Sequence, residues 1–303
     1  MYINDVKSYL SHEIYHILYA DDLQIYLQTP IESISNATEK LSSAAREVTQ
    51  WATSESLRLN ANKTTAIYFG NNKAVVQLNG LNLGIDMGDG LVVPFVKQVK
   101  SLGVTLDSKL NWEVHITSIE KKVNRVLYTL RFIRHCTTET LRRKLVQALI
   151  TPHFNYCSTV YLDAGAGLRA RLQRLNNKGL RYIFGIRRDN EITPFRRRLG
   201  WLRVDTRRNY FMAILIYKIL RMKLPTYLFN IFDVHKYTPK DTARGERQTK
   251  ELLITQVIKG RGTSSFLAQG IKCWNSLPAT VRFLPSLNQF KTALHKYLFT
   301  LDS

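Results

Sequence analysis

The sequence predicts an α+β fold: a hairpin, a helix and short antiparallel strands, then a mostly helical region. Three observations predict it. Short apolar runs bounded by turn residues crowd the first 110 positions. From residue 111 the apolar residues recur every three or four positions. Basic residues then gather in the helical stretch, where residues 165–224 carry 16 basic and 3 acidic side chains.

The chain of 303 residues is 45% hydrophobic and 11% aromatic, enough to bury a real core. Cys136, Cys157 and Cys273 are far apart and odd in number. They form neither a disulfide framework nor a zinc knuckle, so a reducing interior is expected. Met1 is followed by Tyr-Ile-Asn-Asp rather than a basic stretch and an apolar run. No segment reaches transmembrane length. These features predict an intracellular protein, nuclear or cytoplasmic.

The elements follow in order. Residues 13–28 read as a hairpin, two apolar stretches flanking Ala20-Asp21-Asp22, with Pro30 ending the second strand. Residues 33–55 read as an amphipathic helix through Ile34, Ala37, Leu41, Ala44, Val48 and Trp51, capped by Ser33 or Ser35. A loop with Lys63 leads to a strand at Ala66 to Phe69. The run Val75 to Leu83 reads as a hairpin around Asn79-Gly80. Gly88 to Gly90 is a turn, and Val96 to Trp112 gives one more strand pair, with Gly103 marking a bulge or a close backbone approach.

Past that point Trp112, Ile116, Ile119, Val123, Val126, Leu130 and Ile133 form one helical stripe, with Asn111 as its cap. A second helix runs from Thr138 to near Pro152, with Leu141, Leu145 and Leu149 inward. Further helices are expected at 166–184 and 206–222. Residues 236–265 are polar and read as a linker, and 266–303 as a short terminal unit. The resulting partition is 1–110, 111–155, 156–235, 236–265 and 266–303.

Charge is distributed unevenly. Lys and Arg number 44 against 23 Asp and Glu, yet residues 1–110 hold only 9 basic against 11 acidic. Such asymmetry predicts a polyanionic partner, nucleic acid before an acidic membrane surface. Arg187, Arg188, Arg196, Arg197 and Arg198 stand among Tyr182, Phe184, Phe195 and Trp201. Arginines meet phosphates and exposed aromatics stack on bases, although core packing is the simpler reading for most of these aromatics. His115, His135, His153, His235 and His295 are scattered and pair with no cysteine at ligand spacing.

Adjacent carboxylates at a strand turn can hold Mg²⁺ or Mn²⁺ and serve phosphoryl transfer. A solvated turn is the plainer alternative for Asp21 and Asp22. Their flanks carry more. The stretch "ILYADDLQIY" resembles the catalytic hairpin of reverse transcriptases of non-LTR retrotransposons, the jockey and LINE-like group. "YIND" (Tyr2 to Asp5), "LRLNANKT" (Leu57 to Thr64), "KSLGVTLDSKLNW" (Lys100 to Trp112) and "SSFLAQGIKCWNSLPATVR" (Ser264 to Arg282) resemble further segments of that group, in the same order.

The resemblance implies a partial palm at 1–110 and a thumb at 111–155, followed by the basic helical region. It implies that Asp21 is a metal ligand and that Asp22 supports it. Tyr19 would line the primer end, and Lys63 would serve as general acid or charge partner for pyrophosphate. Leu102-Gly103-Val104 would grip the primer through the backbone. RNA template and DNA primer would be the partners, and Mg²⁺ or Mn²⁺ the cofactor. The family pattern also needs another aspartate strand, fingers and a glycine-rich helix, all upstream of the tetrapeptide. Only 18 residues precede Tyr19. Asp5, Asp86 and Asp89 do not fit that aspartate's place. The expectation is a C-terminal piece of such an enzyme, inactive on its own, with a non-catalytic nucleic-acid-binding remnant as the alternative.

Overall fold

A computed structural model describes residues 3–60, 62–79, 81, 83–231 and 266–302. It combines helices with short antiparallel strands, in line with the α+β expectation. The chain divides into two units, Met1–Val114 and His115–Ser303.

In the first unit, strands β1 (Tyr15–Tyr19) and β2 (Asp22–Tyr26) form an antiparallel hairpin in the register Tyr15 to Tyr26 and Tyr19 to Asp22. Helix α1 (Ile34–Ser54) follows and buries Ala44, Val48, Trp51 and Ala52. Leu23 and Ile25, on one face of the hairpin, pack against this cluster together with Val6, Leu10 and Ile14. Alternation along a strand therefore mounts the hairpin on α1 by one face and leaves the other outward. Ser33 makes no capping bond. A 3-10 turn, Ile31–Ser33, leads into the helix instead.

Two expected strands are not formed. Residues 72–79 are helical, as α2 (Asn72–Asn79), rather than half of a hairpin. Asn71 Oδ1 accepts the Ala74 N–H at 2.9 Å, and the buried side chains are Val75 and Leu78, three apart. A capped start and helical spacing outweigh the turn signal of Asn79-Gly80; Gly80 lies outside the described residues. The segment 66–69 makes a single parallel bridge, Ala66 to Phe95. The neighbouring chain is already engaged, because β3 (Gly84–Asp86) pairs with β4 (Val92–Pro94), and Pro94 has no N–H to extend a ladder. Arg46 of α1 holds Asp86 Oδ2 at 2.8 Å, and the Gly88 N–H bonds Oδ1 at 2.9 Å. Asp86 thus closes the Gly88 to Gly90 turn onto α1.

Strands β5 (Gln98–Ser101) and β6 (Val104–Asp107) form the last hairpin. Leu102 (φ 45°) and Gly103 (φ 82°) are its two turn residues, so Gly103 marks a tight turn and not a bulge.

The second unit is helical. Helix α3 (Glu113–Phe132) starts where Asn111 Oδ1 accepts the Glu113 N–H at 3.0 Å. Its stripe of Ile116, Ile119, Val123 and Leu130 is buried as expected, whereas Ile133 is exposed. In α4 (Glu139–Leu149), capped by Thr138, Leu141 and Leu149 face solvent. The buried line runs through Val146 and Ile150, one residue out of the expected phase. Gly179 of α6 (Ala166–Phe184) explains the shift: a Cβ there would lie 3.3 Å from Val146 Cγ1, so the two helices meet where a side chain is missing. The short α5 (Thr151–Asn155) lies between them in sequence.

After α7 (Thr193–Arg198), helix α8 (Val204–Met222) forms the spine of the main core. Helix α9 (Thr226–Ile231) follows. Helices α10 (Phe266–Asn275), α11 (Ala279–Arg282) and α12 (Leu287–Leu301) come after the undescribed residues. Tyr217 stacks on fully buried Phe290 at 4.3 Å and donates to the Leu284 carbonyl at 2.8 Å. Trp274, Leu277 and Val281 complete that core. The expected linker, 236–265, and His235 lie outside the described residues.

Candidate catalytic hairpin and basic surface

The β1–β2 turn holds Ala20 and Asp21, with Ala20 in the left-handed region at φ 53°. Asp22 opens β2 opposite Tyr19. Asp21, Asp22 and Tyr19 are all exposed. Strand alternation places Tyr15, Ile17, Tyr19, Asp22, Gln24 and Tyr26 on the outward face, and Tyr15 and Tyr26 stack at 5.3 Å. Gln24 Nε2 donates to Ser101 Oγ at 2.8 Å. That bond joins the acidic hairpin to the β5–β6 hairpin one residue before the Leu102-Gly103 turn. It is not legible in the sequence, because a glutamine and a serine 77 positions apart carry no motif.

Lys63 lies in an exposed turn, its N–H bonded to the Asn60 carbonyl at 3.0 Å. Among the described residues, no ion pair joins it to Asp21 or Asp22. Nor does any group of three or more His, Cys, Asp or Glu side chains stand together in a way that could hold a metal ion. Two neighbouring carboxylates are too few to clamp two divalent ions, so the described residues do not by themselves fit a two-metal centre.

The arginines of the second unit separate into two sets. Arg187, Arg188, Arg197 and Arg198 are exposed. The loop after α6 that carries the first two is tied down by Arg181. Its guanidinium donates to the carbonyls of Arg187 (3.2 Å), Arg188 (3.0 Å) and Asn190 (3.3 Å), and Asn190 Oδ1 accepts the Arg187 N–H at 3.1 Å. Arg198 lies 5.2 Å over the Phe184 ring and bonds Glu139 at 2.9 Å.

Arg196 belongs to the other set. It is buried and donates to Asp302 Oδ2 (3.1 Å), the Asp302 carbonyl (2.6 Å) and the Trp201 carbonyl (3.1 Å). This corrects the expectation that it meets nucleic acid. Asp302 also accepts the Arg203 N–H (2.5 Å) and the Thr206 hydroxyl (2.8 Å), capping α8 from α12. Neither role is visible in the sequence.

Arg208 is fully buried 4.8 Å over the Tyr161 ring and donates to the Tyr161 and Ser158 carbonyls. Burial lowers the Arg208 pKa and pushes the Tyr161 phenol up to about 12. Arg207 lies 5.8 Å over Trp201, and burial brings it down to about 10, so it remains charged at neutral pH. Tyr182 is buried, as the core-packing reading requires. The three cysteines are free, and burial raises the Cys273 thiol to about 12, which leaves it unreactive. No helix among the described residues is long and apolar enough to cross a membrane.

No family model matches the chain, and no solved structure matches it with significance. Two curated proteins do. The RNA-directed DNA polymerase from mobile element jockey of Drosophila melanogaster is 27% identical over 170 residues, 55% of this chain and 18% of that protein. The protein of the same description from Drosophila funebris is 25% identical over 185 residues, 60% of this chain and 19% of its own length. The chain thus spans about a fifth of the length of the curated relatives it matches. Over more than half of its length the chain is thus similar in sequence to RNA-directed DNA polymerases of jockey mobile elements.

Proposed function

We propose that the chain carries part of the polymerase of a mobile element. In this reading, residues 1–110 are a partial palm and residues 111–155 a thumb, and the basic helices after them hold nucleic acid. The homology to two RNA-directed DNA polymerases carries the reading. In a complete polymerase site Asp21 would supply one metal-ligand oxygen for Mg²⁺ or Mn²⁺ and Asp22 would support it. Tyr19 lines the primer end, and Leu102-Gly103 contacts the primer backbone. The Gln24–Ser101 bond supports this pairing, since it ties the acidic hairpin to the turn proposed to hold the primer. Lys63, exposed in its turn, is free to approach a leaving pyrophosphate as proton donor or counter-charge.

The 303 residues alone are proposed not to polymerise, because the described residues offer two neighbouring carboxylates where a two-metal site needs more. Primer extension on an RNA template with Mg²⁺ or Mn²⁺ tests this. No extension is expected, and extension that disappears in Asp21→Ala would overturn it. A second reading, a nucleic-acid-binding protein without catalysis, is favoured by the exposed arginines around the clamped loop.

A further inference from the structure

Helix α3 presents an outward stripe that neither the motifs nor the hairpin site uses. Lys121, Arg125, Tyr128 and Phe132 fall at intervals of four, three and four, within one narrow arc of the helix. All four are exposed, and the two aromatics are 63% and 62% exposed, opposite the buried Ile116, Ile119, Val123 and Leu130. They are not loose side chains. Their rings meet edge to face at 5.1 Å and 84°, so each steadies the other while one face of the pair stays open.

The neighbouring helix adds charge beside this stripe. Arg171 of α6 grips Glu120 through Nε at 3.1 Å and Nη2 at 2.5 Å and bonds the Thr117 hydroxyl at 2.9 Å. Lys178 donates to Asn124 at 3.0 Å. These bonds set the α3–α6 seam. Exposed Arg174 and Lys178 stand along it, close enough that both help hold the Glu120 carboxyl below its usual range, after Arg171. Glu120 is already engaged, so the unneutralised charge on this face is positive.

A solvent-exposed aromatic pair flanked by a line of cations suits a single strand: bases stack on rings and phosphates meet the cations. A duplex hides the faces of its bases and has no such use for the pair. A purely apolar partner would leave the cations desolvated and unpaired. We propose that the stripe Lys121, Arg125, Tyr128 and Phe132, with Arg174 and Lys178, is a binding track for single-stranded nucleic acid, separate from Arg187, Arg188, Arg197 and Arg198. The inference rests on the nucleic-acid reading above but assigns a different surface and a strand preference.

The test uses the full chain, a fluorescent oligothymidylate and a blunt duplex of matched length, with anisotropy at fixed salt. Tyr128→Ala/Phe132→Ala is expected to weaken single-strand binding about tenfold or more and to leave duplex binding within about twofold. Tyr128→Trp should keep or tighten single-strand binding. Circular dichroism and thermal melting confirm the fold of each variant, and since both rings are exposed no loss is expected. Unchanged single-strand affinity in the double variant, or an equal loss on both probes, would overturn the stacking track. A double variant that loses self-association of the chain and no DNA binding would assign the patch to a copy of the protein and also overturn it. If the parent chain binds neither probe at low salt, the broader nucleic-acid reading fails rather than this one alone.

Discussion

His115 is buried on α3, edge-on to Tyr161 at 5.1 Å. Burial, and then the charge of Lys122, lowers its pKa below the usual value of about 6.5. The unfolded chain therefore takes up a proton first as pH falls. The stability that His115 contributes is complete above about pH 6.5 and is lost as pH drops towards the lower folded value, at up to about 1.4 kcal/mol per pH unit. His153 shifts in the same direction, chiefly through burial. Melting between pH 7.5 and 5.5 should show a falling midpoint, and His115→Gln should show a smaller fall. An identical slope in that variant would place the effect elsewhere. Asp302 works differently, since its carboxylate and carbonyl satisfy a buried guanidinium and the start of α8 together. Removing one partner strands a buried charge, so Asp302→Ala should cost about 3–5 kcal/mol in denaturant titration. Asp302→Asn should cost less.

Helix ends and turns show where local sequence suffices and where it does not. Gly185 ends α6 at φ 72°, and a Cβ there would lie 1.7 Å from Arg134 Nη2. Gly185→Ala should therefore expel Arg134 from its bond to the Tyr182 carbonyl and impose left-handed strain. A loss of about 1–3 kcal/mol is expected, measurable as a lower melting temperature. Long periodic helices such as α1, α3, α6 and α8 were legible because their burial repeats with the helical period. The β1–β2 hairpin was legible from its turn, whereas the β5–β6 strands were legible but their Leu102-Gly103 turn was not. What escaped depends on partners distant in the chain. The phase of α4 follows from a glycine 33 positions away from Val146. The segment 72–79 chose helix over hairpin because burying Val75 and Leu78 together needs helical spacing. Arg196 looked like its exposed neighbours, and only the fold brings Asp302 to it.

The two units divide the proposed work by charge. The acidic pair sits in the first, which is close to neutral, and the exposed arginines sit in the strongly basic second. Attraction to nucleic acid should therefore come mostly from the second unit and vary steeply with salt. Replacing Arg187, Arg188, Arg197 and Arg198 by Gln should reduce the slope of log affinity against log salt by up to about 3–4 on duplex DNA. Replacing Asp21 and Asp22 by Asn should leave that slope almost unchanged. A slope that ignores the arginines would move the contact surface elsewhere. The tail motif around Trp274 has a structural account, since Trp274, Leu277 and Val281 are core residues of the second unit.

The clasp on Asp302 also bears on how the protein is made. Arg196 and its partner are 106 positions apart, and the α8 start is closed by the same carboxylate. A ribosome must make all of that stretch before the buried arginine meets its counter-charge. During synthesis the basic helices α6 to α8 would emerge with Arg196 lacking its carboxylate and the apolar face of α8 uncovered by α10 and α12. Truncation within α12 would thus yield a sticky, protease-sensitive product rather than a shortened but sound one, because the buried guanidinium and the apolar face of α8 lose their cover together.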